Sequence, residues 1–309
     1  MNELTILDDL GATLDPAGPP PPGLRRRVLT QTRRPSRRRW LRLAIVGGLA
    51  ATVTAVALAI QVVPLGDRPP AARAQAADIL LAAAGQATLQ PDQVVRPEQF
   101  ILIESVATVR STRESTGEST VHGVHRWAWR SADGTHDGLI REQNQDGGAT
   151  DLLVPGCKDG RATQSKRGVT TTSPCTPDPA YTDGLPTTVD GMLAYLYRDA
   201  GSTKNPRDQE AFQAAANLIG EAYRRPAVLA AVYGALAKIP GVAIVGDVTD
   251  EAGRSGVAIS QREVQGTRTD LIFDPANHSY LGIRTVAGDQ VQYSAAVLSV
   301  SIVDRVGAK

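Results

Sequence analysis

Between Arg42 and Asp67 the chain carries no charged residue, and Leu43 to Val63 is a run of 21 residues with one strongly polar side chain, Gln61. At about 1.5 Å of rise per residue, a helix of that length crosses the roughly 30 Å hydrocarbon core of a bilayer. A soluble fold would have to bury every face of it. The sequence therefore predicts a single transmembrane helix over residues 43–63, with the bilayer as its partner, and a chain divided between two compartments.

The flanks orient the span. Residues 1–42 hold nine arginines and four acids (Glu3, Asp8, Asp9 and Asp15), a local charge of 9 − 4 = +5. The rest holds 33 − 9 = 24 basic and 32 − 4 = 28 acidic residues, so the formal charge of +1 is the sum of a basic tail and a body at −4. Arg37, Arg38, Arg39 and Arg42 lie against the span, and the positive-inside rule places residues 1–42 in the cytoplasm. The domain beyond about residue 66 is then extracytoplasmic, in the cell envelope. An acidic body argues against a nucleic-acid partner. The 42% hydrophobic content excludes disorder of the whole chain.

Ala72-Arg73-Ala74 has the small-x-small form of a signal-peptide cleavage site. However, the apolar run is longer than a signal h-region and the preceding tail is too long, so an uncleaved anchor is favoured. Gly47, Ala51, Ala55 and Ala59 line one face of the span, as a helix contact would require and as alanine-rich composition alone also produces.

The cytoplasmic tail is too short to bury a core. Leu4, Leu7, Leu10 and Leu14 recur at helical spacing up to Asp15-Pro16, and Pro19 to Pro22 follow as a stiff spacer. The leucine stripe either stays disordered or folds against a cytoplasmic regulator through Leu4, Leu7 and Leu10. No Cys or His occurs in the tail, which excludes a zinc-binding module there.

Residues 64–73, with Pro64, Pro69 and Pro70, read as a linker to an extracytoplasmic α+β domain over 74–309. Ala74–Thr88 reads as a helix with Ala77, Leu80, Leu81 and Ala84 on one side. Phe100–Val109, Val121–Arg130 and Gly138–Gln143 read as strands, with a turn at Asp133-Gly134. Three helices follow: one from a capping box at Thr187 with Asp190, one from a cap at Asn205 before Pro206, and one from Pro226. Five strands close the domain: Val242–Val248, Val257–Gln261, Arg268–Phe273, Tyr280–Val286 and Gln290–Val303. Short turns between strands imply an antiparallel sheet, and segregated strands and helices imply α+β, so a curved sheet packed on helices is expected.

Few residues point to chemistry. Cys157 and Cys175 are the only cysteines, and an even count on the outer side of a membrane predicts a disulfide. There is no His-Glu-x-x-His, Gly-x-Ser-x-Gly, Ser-x-x-Lys or phosphate-cradling glycine loop, so no catalytic residue, cofactor or metal is assigned. His122 and His125, three apart on a strand, fall on opposite faces. Asp247, Asp250 and Glu251 near Gly253 match a calcium loop less well than a polar hairpin turn. Asn277-His278-Ser279 is a weak glycosylation match. Trp127 and Trp129 share one strand face, and either anchor the core or line an apolar groove beside the helices for a lipid or peptide.

Two stretches carry a resemblance. One is Leu185-Pro186-Thr187-Thr188 with Asp190 and Leu193-Ala194-Tyr195-Leu196. The other runs from Pro240-Gly241-Val242 through Gly246-Asp247-Val248-Thr249-Asp250 and Gly253-Arg254 to Leu271-Ile272-Phe273-Asp274-Pro275 and Leu281-Gly282. With the Asn-Glu-Leu opening and the basic tail, they resemble a large actinobacterial family of single-pass membrane proteins of unassigned function. The outer part is also remotely similar to the half-barrels of periplasmic lipoprotein carriers and of sensors that bind anti-sigma factors. The leading reading is a non-enzymatic envelope protein that binds or senses, with coupling to a transcription regulator through the leucine stripe left open. A scaffold or carrier without signalling is the alternative, and an unrecognised enzyme is third.

Overall fold

A computed structural model describes residues 70–308 apart from 114–116, 146, 167–168, 202, 221–222 and 262–265. The cytoplasmic tail with its leucine stripe and arginines, the 43–63 span and residues 64–69 of the linker lie outside the described residues. No described helix is long and apolar enough to cross a membrane.

The domain opens with helix α1 (Pro70–Thr88), four residues earlier than the sequence reading placed it. Pro70 suits a first helical turn, where a missing N–H costs nothing. Strands β1 (Phe100–Thr112), β2 (Ser119–Ser131), β3 (Gly138–Asn144) and β4 (Ala149–Val154) follow as hairpins. A separate hairpin, β5 (Arg161–Lys166) and β6 (Val169–Pro174), comes next. Helices α2 (Val189–Tyr197), α3 (Arg207–Ile219) and α4 (Pro226–Leu236) lead to a meander of β7 (Ala243–Thr249), β8 (Ser255–Ser260), β9 (Thr267–Phe273), β10 (Tyr280–Ala287) and β11 (Gln290–Val303). Nine strands form one antiparallel sheet in the order β4-β3-β2-β1-β11-β10-β9-β8-β7. The fold is α+β, as expected.

Pairing of β1 with β11 fuses the early hairpins to the late meander. The register breaks at Glu104/Ser105, Thr285/Val286, Tyr280/Gly282 and Ile244/Gly246, and such bulges bend and twist a sheet. Strand alternation divides the side chains cleanly. Leu271 and Phe273 of β9 and Ile259 of β8 join the helical core with Leu80, Phe212 and Val232. The intervening residues, Asp270 and Ile272, turn to the opposite face.

Three expectations about the helices need correction. Helix α1 buries Ala76, Leu80, Ala83 and Ala87 while Leu81 is exposed, because the helix meets its core along a narrower stripe than its composition implies. Helix α2 is capped by Thr188, not Thr187, with its hydroxyl accepting from Gly191 N at 3.2 Å. Helix α3 has Pro206 at its N-cap without a side-chain bond, so Asn205 is not its cap.

Candidate functional site

The two tryptophans lie on the sheet face opposite the helices, not beside them. Ile101 and Ile103 of β1 pack toward Tyr223 and Ala180 near the helices. Leu102, between them, points the other way, and it is the register partner of Trp129. Leu139 of β3 and Leu153 of β4 continue the same row. An apolar line therefore crosses four strands, from Leu102 through Trp129 and Leu139 to Leu153, which is 48% exposed on the edge strand.

Trp127 occupies the neighbouring row with Glu104, Arg141 and Asp151. Its ring stacks on His125 with centroids 4.0 Å apart, and His125 Nε2 lies 2.8 Å from Glu104 Oε1. Arg141 and Asp151 form a two-pronged ion pair across β3 and β4. The site is thus an apolar row edged by a charged one. Hydrogen bonding and stacking hold the polar edge in place, and the apolar row is what a ligand would bury.

Part of this surface is covered by the chain itself. After β11, Val306 and Ala308 pack against the cluster of Phe100, Leu102, Trp129 and Val303. Trp129 Nε1 donates to Ala308 O at 2.7 Å, and Trp129 is only 2% exposed. Asp304 accepts from Arg96 Nη2 and Gln99 Nε2, both at 2.8 Å. Sequence reasoning missed this segment. Its only signal is the alternation of Val306, Gly307 and Ala308, which is too short to read.

The remaining candidates resolve into structural roles. Cys157 and Cys175 are joined by a disulfide that closes the base of the β5–β6 hairpin. That base is anchored where Cys157 N donates to Gly134 O at 2.8 Å. Asp250 is engaged by Arg254, Asp247 is exposed, and Glu251 accepts from Thr108 Oγ1 at 2.6 Å, so the three acids do not converge. Among the described residues no group of three His, Cys, Asp or Glu is placed to hold a metal.

One cluster invites a catalytic reading and does not have the geometry for it. Ser131, Asp133 and His136 adjoin in the turn between β2 and β3. The Ser131 hydroxyl donates to Asp133 Oδ1 at 2.8 Å and accepts from the His136 backbone N at 3.1 Å. A serine nucleophile needs its hydroxyl on the imidazole instead. Thr135 adds its backbone N and its hydroxyl to the same carboxylate. Burial opposes ionisation of Asp133, yet these hydrogen bonds from Thr135 and Ser131 outweigh it and hold the carboxyl down at about 2.

The architecture defines an α+β domain with one face of its sheet packed by helices and the other partly strapped by its own chain. Neither known protein families nor curated proteins match the sequence. Solved structures show remote likeness. MucB of Pseudomonas aeruginosa in complex with MucA is 12% identical, covering 76% of this chain and 59% of that one at a TM-score of 0.27. A second MucB structure is 14% identical, covering 76% and 61% at a TM-score of 0.28. A LolA superfamily protein of Nitrosomonas europaea is 7% identical, covering 74% and 93% at a TM-score of 0.22. The chain spans about three-fifths of the length of the MucB structures it matches.

Proposed function

We propose that this chain is a single-pass membrane protein whose extracytoplasmic domain binds an apolar or peptide ligand of the cell envelope, without catalysing a reaction. The observation that carries the reading is the apolar row Leu102–Trp129–Leu139–Leu153, on the face the helices leave open. Val306 and Ala308 cover the Leu102 and Trp129 end of the row, while Leu153 leaves its other end open on an edge strand, where an added peptide docks. The Cys157–Cys175 disulfide supports an oxidising compartment, in line with the arginine-flanked span that precedes the domain. Residues 1–42 are the cytoplasmic tail of this protein, and its leucine stripe is the part available to a regulator.

The test is a titration of the full chain in nanodiscs with short apolar peptides and, separately, with phospholipid vesicles, followed by tryptophan emission. A saturable blue shift that is lost in Trp127→Ala is the expected result. No saturable change with either probe overturns the binding reading.

A further inference from the structure

The segment Asp304–Ala308 occupies the apolar face as a ligand would. Its backbone follows β11 past the end of the β1 ladder, since Val303 pairs with Phe100, the first residue of β1. Beyond that point it makes no ladder with the sheet, and side chains hold it. Val306 and Ala308 are turned inward while Arg305 and Gly307 are exposed, an alternation that seats two small apolar groups two residues apart. Gly307 sits at φ 83°, a conformation that lets the chain bend Ala308 back onto Trp129.

The contacts fall into three recognisable positions. Asp304 sits against Arg96 and Gln99, Val306 and Ala308 enter the aromatic cluster, and the Ala308 carbonyl takes the Trp129 indole N–H. The Asp304 anchor is itself largely exposed, and its arginine is shared with Glu98 at 2.8 Å. A segment held by one exposed ion pair, one bond from Gln99, one indole bond and two partly buried small side chains is far easier to lift than a strand of the sheet.

We infer that Asp304–Ala308 is a displaceable strap, and that the surface beneath it receives an extended peptide of acidic-x-aliphatic-x-small pattern from a partner protein. Its role as a ligand surface rests on the binding reading above; its role as a strap does not. The tethered strap is always at high local concentration, so the native chain binds an outside peptide with an affinity reduced by the fraction of time the strap is open. Loosening the strap removes that competition.

The probe is a fluorescein-labelled peptide with the sequence of residues 304–308, Asp-Arg-Val-Gly-Ala, added to the full chain in nanodiscs. Val306→Asp, which drives the strap off the Leu102 and Trp129 cluster, should bind it at least tenfold more tightly than the native chain does. A peptide carrying Asp in place of its Val should not bind. Should Val306→Asp fail to form the Cys157–Cys175 bridge, the milder Val306→Ser serves the same comparison. Equal binding by native and variant chains overturns the strap. Competition of the bound peptide by phospholipid vesicles, but not by unlabelled peptide, overturns the peptide chemistry. Tenfold tighter binding by the variant, together with no response of the native chain to any outside ligand, supports the strap while removing the binding reading.

Discussion

Asp250 and Arg254 form an ion pair 2.6 Å apart in which the carboxylate is wholly buried. The guanidinium also donates to Leu281 O and Val297 O, each at 3.0 Å. Leu281 lies in the register break of β10, and Val297 lies beside the break between β1 and β11. One side chain therefore ties the β7–β8 turn to two places where the ladder is irregular. Asp250 fixes that side chain and also accepts from Ala252 N and Arg254 N, closing the turn.

Removing Arg254 should be severe, because it leaves a buried carboxylate uncompensated and two carbonyls without their donor. Arg254→Met should cost about 3–5 kcal/mol, the usual penalty for breaking one side of a buried pair. Arg254→Lys should recover only part of it, since an ammonium cannot span a carboxylate and two carbonyls at once. Urea denaturation followed by far-UV circular dichroism measures both. An Arg254→Met loss below about 1 kcal/mol would contradict this role.

Asp270 makes the second buried charge centre. Its carboxylate is fully buried and meets Arg268 at 2.6 Å and Arg284 at 2.7 Å, on the face opposite the helices. Asp270→Asn leaves two guanidinium groups facing each other with no anion between them. The expected loss is about 3 kcal/mol, part of it recovered in high salt, which screens the repulsion of the two arginines. A loss independent of salt would assign the effect to packing instead.

Much of this fold was legible because its patterns are local. Strand Gln290–Val303 was read with its true limits, and Pro226 marked the start of α4 as its fixed φ predicts. What escaped reading depends on tertiary or covalent constraint. Strands β5 and β6 are polar and threonine-rich, with no alternation to reveal them, and a disulfide rather than a core closes their base. Strand β4 places Leu152 and Leu153 side by side, which breaks the period-two signal at the open edge of the sheet. Gly282 falls inside a strand legible in the sequence, yet only the β10–β11 approach shows that a β-carbon there would collide with the Ala295 carbonyl. The tryptophan pair was legible as a shared face. Which face it was required the register, and that Val306 and Ala308 pack on its Trp129 end required the path of the chain after β11.

Reduction of Cys157–Cys175 should loosen one part of the domain more than the rest. The bridge closes a loop of sequence separation 18. In the chain-entropy account, a closure of this size is worth about 3 kcal/mol. The two-stranded hairpin it closes has no buried side chain of its own on β6. Hydrogen exchange after reduction should therefore rise first at β5 and β6, while Leu271 to Phe273 in β9 stay protected. Uniform loss of protection would show that the hairpin supports the whole sheet.

Acid should act on the turn that anchors this hairpin. Asp133 has an ordinary value of 3.8 and is held at about 2 in the fold by the hydrogen bonds from Thr135 and Ser131. A carboxylate with a lowered folded value contributes stability that is fully present above its unfolded value and is lost as pH falls through the folded one. The contribution is therefore intact above about pH 4 and gone below about pH 2. Because the side chain is 31% exposed, solvent screening limits it to about 1 kcal/mol. Asp133→Asn keeps the acceptor oxygen but removes the charge, so it should lower stability at pH 7 by that amount and flatten the loss between pH 4 and pH 2. The check is a pair of denaturation curves for native and variant chains at pH 7, 4 and 2. Equal slopes for the two chains between pH 4 and pH 2 would remove Asp133 as the acid-sensitive group of this turn.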